Sequence, residues 1–390
     1  MKMKKNLFIM ALLTMSMGFV ACNDDEEEVI PEGTAQVTIK DNNIDVTPAN
    51  VTNWGNYALQ VASLLAKDAN DLNQAWASSY KGGDAFATTF KNHGTPYTSY
   101  NNCVEQIIDG CIDIAGEVGD AKIGEPRDLW EKGNYTEAVY AVESWYSFHS
   151  IEDYSNNIQS IRNAFNGSLN NRGEAAHSIA SYLKANNNAL YVRTKSAIDQ
   201  AFTAVAGMKA PFRSYIGSST VLVAMNACAA LSDVLDKELK PYINNIEDDE
   251  ALKNIVNSYV DNVVLPTYAN LVEETRELAN TINELAKAPS TETFKVAARQ
   301  WIITRAPWET SEAFLFGPVA ELGLDPNMDS WPLDVDAIKG VLTTGDFSKL
   351  NWTGEYNEED ENIEAAQTVR GFHTLEFLLF KDGNPRTYNK

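Results

Sequence analysis

Gly371-Phe372-His373-Thr374-Leu375-Glu376-Phe377-Leu378-Leu379-Phe380 is an apolar run that carries one polar pair. On a helix, residues three apart share a face, with Cβ atoms about 5–6 Å apart. An imidazole and a carboxylate placed like His373 and Glu376 can share a metal, a proton or a polar ligand. Phe372, Leu375, Phe377, Leu378, Leu379 and Phe380 pack the rest of that helix away from water. Unpaired polar groups in such surroundings are costly, so the pair needs partners elsewhere in the chain.

Outward from this segment the pattern is helical almost throughout. Tyr57, Val61, Leu64, Leu65, Leu72 and Trp76 recur at helix spacing from about residue 54. Gly94-Thr95-Pro96 opens a second helix, with Val104, Ile107, Ile108, Cys111 and Ile114 on one stripe. A third region covers about 135–165, with a break near 147–150 and Gly167 as its C-cap. A fourth covers about 174–208. Further helices are expected near 213–240, 249–287, 291–322 and 363–381, with Pro266 kinking the second of these. An irregular connection fills 323–362, and a loop of that length is often functional. Alternating strand patterns are nearly absent. The expectation is an all-α body of two similar four-helix bundles side by side, 41–210 and 211–390, with Pro211 at the boundary.

The start of the chain reads as a targeting segment. Lys2, Lys4 and Lys5 precede a short apolar run, and Phe19-Val20-Ala21-Cys22 resembles a lipoprotein cleavage site. Residues 1–21 are then a signal peptide, and Cys22 carries the lipid that holds the protein in a membrane. Residues 22–40 form an acidic tether, because the like charges of Asp24 to Glu28 repel and keep the chain extended. This tether resembles the signal that sends some Gram-negative lipoproteins to the cell surface, so the expected location is the outer membrane, facing the periplasm or the exterior. No later stretch reads as apolar enough to span a bilayer. With 31 Lys and Arg against 54 Asp and Glu, the formal charge is −23, which argues against nucleic acid as a partner. Cys103, Cys111 and Cys228 give neither a disulfide framework nor a Cys-type zinc site.

A second motif lies upstream of the first. In Arg305-Ala306-Pro307-Trp308-Glu309-Thr310-Ser311-Glu312-Ala313-Phe314, the spacing i, i+4, i+7 puts Arg305, Glu309 and Glu312 on one helix face. Trp301, Trp308, Phe314 and Phe316 crowd the same stretch, so part of that face is buried. Beyond it come Asp325, Asp329 and Trp331-Pro332-Leu333-Asp334.

Together these segments resemble the imelysin-like family. Its Gly-x-His-x-x-Glu motif is matched by Gly371, His373 and Glu376, and its Arg…Glu-Ala-Phe helix by Arg305, Glu312, Ala313 and Phe314. Its Trp-Pro-Leu-Asp segment is matched by Trp331 to Asp334, and the stretch 144–161, with Asn156-Asn157-Ile158, also looks like a family segment. In most such chains the His-Glu helix comes first, so the order here looks like a circular permutation. The resemblance implies two helical bundles with a site between them.

It also implies two functional readings. The first is a binding component of bacterial iron uptake, taking iron or another divalent metal, an iron chelate or a small anionic ligand. The expected site residues are His373, Glu376, Arg305, Glu312, Glu309, Trp308, Gly371, Trp331 and Asp334, with His373 and Glu376 as metal ligands. The second is a metallopeptidase using the same pair. Against an enzyme, Phe377 stands where an inverted zinc motif needs histidine, and no histidine follows His373 to help supply the usual three ligands. His149-Ser150-Ile151-Glu152 repeats the His-x-x-Glu spacing and reads as coincidence.

Overall fold

The computed structural model describes residues 44–169 and 172–388, and the backbone of two short antiparallel strands, Glu27–Val29 and Val37–Ile39. The signal peptide, Cys22 and most of the expected tether lie outside the described residues.

Helix α1, Val51–Ala77, buries Trp54, Tyr57, Val61, Leu65, Leu72 and Trp76 along one stripe. The other principal helices are α2 (Tyr100–Gly116), α3 (Ser150–Asn166), α4 (Asn188–Ala206), α5 (Ser219–Val234), α6 (Asp249–Tyr259), α7 (Leu265–Lys287) and α8 (Thr291–Glu309). They are followed by the short α9 (Leu324–Asp329) and by α10 (Gly371–Leu379). Ser99, Asn187, Asp248 and Ser290 cap α2, α4, α6 and α8 through their side chains, which satisfies amides that have no partner inside the helix.

The helices pack as two groups. In one, α1 lies along α7, α7 along α8, and α10 contacts α1 and α8. In the other, α2 packs on α3, α5 and α6, and α4 packs on α3 and α5. Contact between α3 and α8 joins them. A division at residue 211 does not describe this packing. The longest amphipathic stripes, on α1 and α7, come from opposite halves of the sequence and bury each other, so each group draws on both halves. The two ends of the described body also meet: Arg386 Nη1 donates to the Ile44 carbonyl at 2.9 Å and Lys381 pairs with Asp45 at 3.0 Å. Adjacent ends are the geometric condition for a permuted order.

Several local expectations change. The 323–362 connection contains α9, the helix Val335–Thr344 and a 3-10 turn, Phe347–Leu350. Helix α6 runs into α7 through a wider turn, Val260–Val264, just before Pro266, which absorbs the missing N–H. Helix α8 continues two residues past Pro307 and stops at Glu309. There Thr310 Oγ1 donates to the Ala306 carbonyl at 2.9 Å and Ser311 Oγ to the Trp308 carbonyl at 2.6 Å. Among the described residues, Ser219–Asn244 is long and apolar enough to cross a membrane, contrary to the sequence reading. It packs on α2 and α4 as a bundle helix. Cys103, Cys111 and Cys228 are buried free thiols.

Candidate functional site

The junction of the two groups is polar. Arg305, on α8, is 2% exposed and touches carboxylates from three elements. Its Nη2 meets Glu309 Oε1 at 2.6 Å on its own helix, its Nε meets Asp153 Oδ2 of α3 at 3.4 Å, and its Nη1 meets Asp329 of α9. Asp329 also accepts from Trp308 Nε1 at 2.6 Å and lies 3.3 Å from His373 Nε2.

His373 and Glu376 face each other, with Nδ1 and Oε2 3.0 Å apart. The other glutamate oxygen accepts from Ser147 Oγ at 2.7 Å, Ser147 N at 2.8 Å and Tyr146 N at 3.0 Å. Glu376 is therefore filled by protein donors and holds the imidazole by its Nδ1 side, with Nε2 turned toward Asp329 and Arg305 Nη2, the latter at 3.4 Å. Trp331 covers the ring, its centroid 4.9 Å away. Gly371 acts on this geometry through the backbone. Its φ is +85°, and a Cβ there would lie 2.4 Å from the Met328 carbonyl, so only glycine lets α10 start against α9.

Asp153 and Asn157, one turn apart on α3, complete the junction. Ser144 Oγ donates to Asp153, and Asn157 Nδ2 donates to Glu309 Oε2 at 2.5 Å. Burial pushes the Asp153 carboxyl up, against the pull of Arg305. Burial likewise pushes Glu309 well above the ordinary range, with Asp153 and Asp329 adding to it and Arg305 opposing. At Asp329 burial also acts upward, but Arg305 and His373 outweigh it and hold the carboxyl at about 2.

Glu312 reaches the junction from a different element. Because α8 ends at Glu309, Glu312 sits on a separate 3-10 turn, Glu312–Phe314, and does not share a helix face with Arg305. Burial pushes it well above the usual range, with Lys122 opposing and Glu309 adding. Asp325 is pushed up to about 7 by burial and by Asp329 and Glu117. Asp334 is outside the site: it is exposed and accepts from Ala337 N at 2.8 Å, capping the helix Val335–Thr344. His149 is half-buried at the start of α3, with Glu152 3.7 Å away.

The structure thus gathers Arg305, Glu309, Trp308, Trp331, His373 and Glu376, seats Gly371 beneath them, and leaves out Asp334. Sequence reasoning missed Asp153, Asn157, Ser147 and Asp329. All four lie in the stretches around 144–161 and 324–334, and the i, i+4 spacing of Asp153 and Asn157 was the signal for that pair.

The residues do not fit a catalytic zinc on the His-Glu pair. Such a site wants three ligands and an open position. Here Glu376 is occupied, and the Arg305 guanidinium sits where a cation on Nε2 would have to approach. The guanidinium nitrogens are in turn taken by carboxylates, which leaves no fork for an outside anion.

Fold and site define an all-helical protein of two groups that close on a buried, carboxylate-rich junction. Residues 35–237 and 264–390 match the family described as Imelysin (Peptidase M75), and the chain belongs to that family. It is 51% identical to a chain solved as an imelysin peptidase from Bacteroides ovatus, covering 89% of this chain and 99% of that one with a TM-score of 0.86. It is also 28% identical over 131 residues to Iron-regulated protein A of Synechococcus elongatus. That match spans about a third of each protein, 33% of this chain and 32% of the relative.

Proposed function

We propose that this protein is a lipid-anchored outer-membrane component of iron uptake that binds iron, free or chelated, at the junction of its two helical groups. The observation that carries the reading is the charge imbalance buried there. Among the described residues, Arg305 is the arginine at the centre, against Asp153, Glu309 and Asp329 in direct contact and Glu376 behind His373. Buried carboxylates in excess of their cations hold protons or recruit a cation, because an isolated buried charge is too costly. The iron-regulated relative supports the choice of iron as that cation, and Cys22 supports the anchor.

The imelysin peptidase similarity keeps hydrolysis as the competing reading. Purified protein is incubated with ferrous or ferric iron, desalted, and analysed by native mass spectrometry beside an assay on casein. Iron retained by the wild type and lost in Glu309→Gln is expected, with no casein cleavage. Cleavage abolished by chelation and by Glu376→Gln would replace the binding reading with the peptidase. For the anchor, Cys22→Ala should move the protein out of the membrane fraction, and retention there would refute it.

A further inference from the structure

Beside Glu312, a cleft of about 710 Å³ opens between α2, the turn that follows it and the Glu312–Phe314 turn. Asp113, Glu117, Asp120, Glu312 and Asp325 line it, and among the described residues no cationic side chain does. Helix α2 comes close here because Gly110 has no side chain; a Cβ would lie 2.1 Å from the Ala313 carbonyl. The next segment, Glu117–Lys122, is a wider π-type turn, a feature that recurs at functional sites.

At the inner end of this cleft stands Glu312, 7% exposed, whose carboxylate makes no hydrogen bond and no ion pair with any described residue. Lys122 is the cation nearest in effect, and it is held by Glu143 at 3.1 Å and Glu117 at 3.3 Å. One carboxylate oxygen from each of Glu309, Glu312 and Asp329 lies within 4.8 Å of the other two. Three oxygens converge: those of Glu309 and Asp329 sit on carboxylates shared with Arg305, Asn157 and Trp308, while Glu312 has no partner among the described residues and faces the acidic approach from solvent.

We infer that Glu309, Glu312 and Asp329 form an all-oxygen site for a hard cation, loaded through the acidic cleft. This rests on the iron-binding reading and moves the ligands from the His-Glu pair to the carboxylates. Oxygen donors without sulfur or imidazole suit hard cations such as ferric iron, manganese or a lanthanide. His373 and Glu376 are then positioning residues that hold Asp329 and Arg305 in place. The cleft focuses field lines and raises the local cation concentration, which speeds association.

Terbium(III) is the probe, because the Trp308 indole donates to Asp329 at 2.6 Å and stands close enough to sensitise its emission. Titration of the purified protein should give saturable, tryptophan-sensitised emission that iron competes away. Glu312→Gln should weaken terbium by more than about tenfold, the loss that even an outer partner of a metal site costs, with no fall in melting temperature. Asp113→Asn with Asp120→Asn should slow association and leave the final affinity nearly intact; an unchanged association rate overturns the route. Iron bound equally by wild type and Glu312→Gln but lost in His373→Gln overturns the site and leaves the iron reading standing. A wild type that takes neither ion defeats both.

Discussion

Arg305 and Glu312 lie on one short stretch of chain, yet the fold gives them opposite surroundings. Around Arg305 each charge has a geometric partner: Asp153, Glu309 and Asp329 on the guanidinium, and four protein donors on Glu376. Around Glu312 carboxylates accumulate, and Lys122 is already held by two others. The first region is a satisfied network that fixes how α3, α8, α9 and α10 meet. The second is left incomplete by the protein itself. Glu309 and Asp329 belong to both regions: they hold Arg305, and each places one oxygen within 4.8 Å of a Glu312 oxygen, so the network that builds the fold also supplies two of the three oxygens of the candidate site.

The comparison breaks most visibly at Arg305. Arg305→Ala removes the shared partner of three buried carboxylates. Breaking a buried pair by removing one side costs about 3–5 kcal/mol, because the charge left behind has no solvent. Urea unfolding should show a loss of that size. A loss under about 1 kcal/mol would mean that water reaches the network and that its ion pairs behave as surface pairs.

The opposite operation relieves the unsatisfied side. In the folded protein Asp325 titrates at about 7, against about 3.9 for an unperturbed aspartate. Below pH 4 both folded and unfolded states hold the proton, and Asp325 costs nothing. As pH rises from about 4 to 7 the unfolded chain releases the proton first, so stability falls across that window and is level above it. Asp325→Asn removes this dependence. The wild type should lose on the order of 3 kcal/mol relative to Asp325→Asn between pH 4 and pH 7 in melting or denaturant experiments, since the shift spans about three pKa units and each corresponds to about 1.4 kcal/mol. A constant difference across that range would show that Asp325 is adequately compensated and that the two sides are electrostatically alike.

The sequence carried the helical body because amphipathic spacing is local, and 3.6-residue periodicity survives in a single chain. It did not carry the pairing of α1 with α7, since both stripes are apolar and nothing local says which partner each takes. It carried the His373–Glu376 pair and Arg305 through their spacing and apolar setting. It misplaced Glu312 because the end of α8 depends on side-chain caps from Thr310 and Ser311, a two-residue effect that extends or ends a helix without changing its pattern. It passed over Asp153 and Asp329 because an aspartate in a polar-looking stretch is ordinary until folding buries it beside a guanidinium.

The smallest effect is expected where spacing is kept and burial is absent. His149 and Glu152 repeat the His-x-x-Glu arrangement at the start of α3, but their ring nitrogen and carboxylate are 3.7 Å apart and their side chains are 26% and 63% exposed. Water screens this pair and competes for both partners, so an exposed ion pair of this kind contributes about 0–1 kcal/mol. Glu152→Gln should therefore change unfolding free energy by less than about 0.5 kcal/mol and leave iron binding as in the wild type. The same change at Glu376 disturbs four hydrogen bonds to buried donors, each about 1 kcal/mol when satisfied and more when orphaned. Equal costs at the two glutamates would mean that the i, i+3 geometry itself carries the energy. A large gap assigns it to the enclosure that α3, α9 and the Tyr146–Ser147 turn build around only one of them.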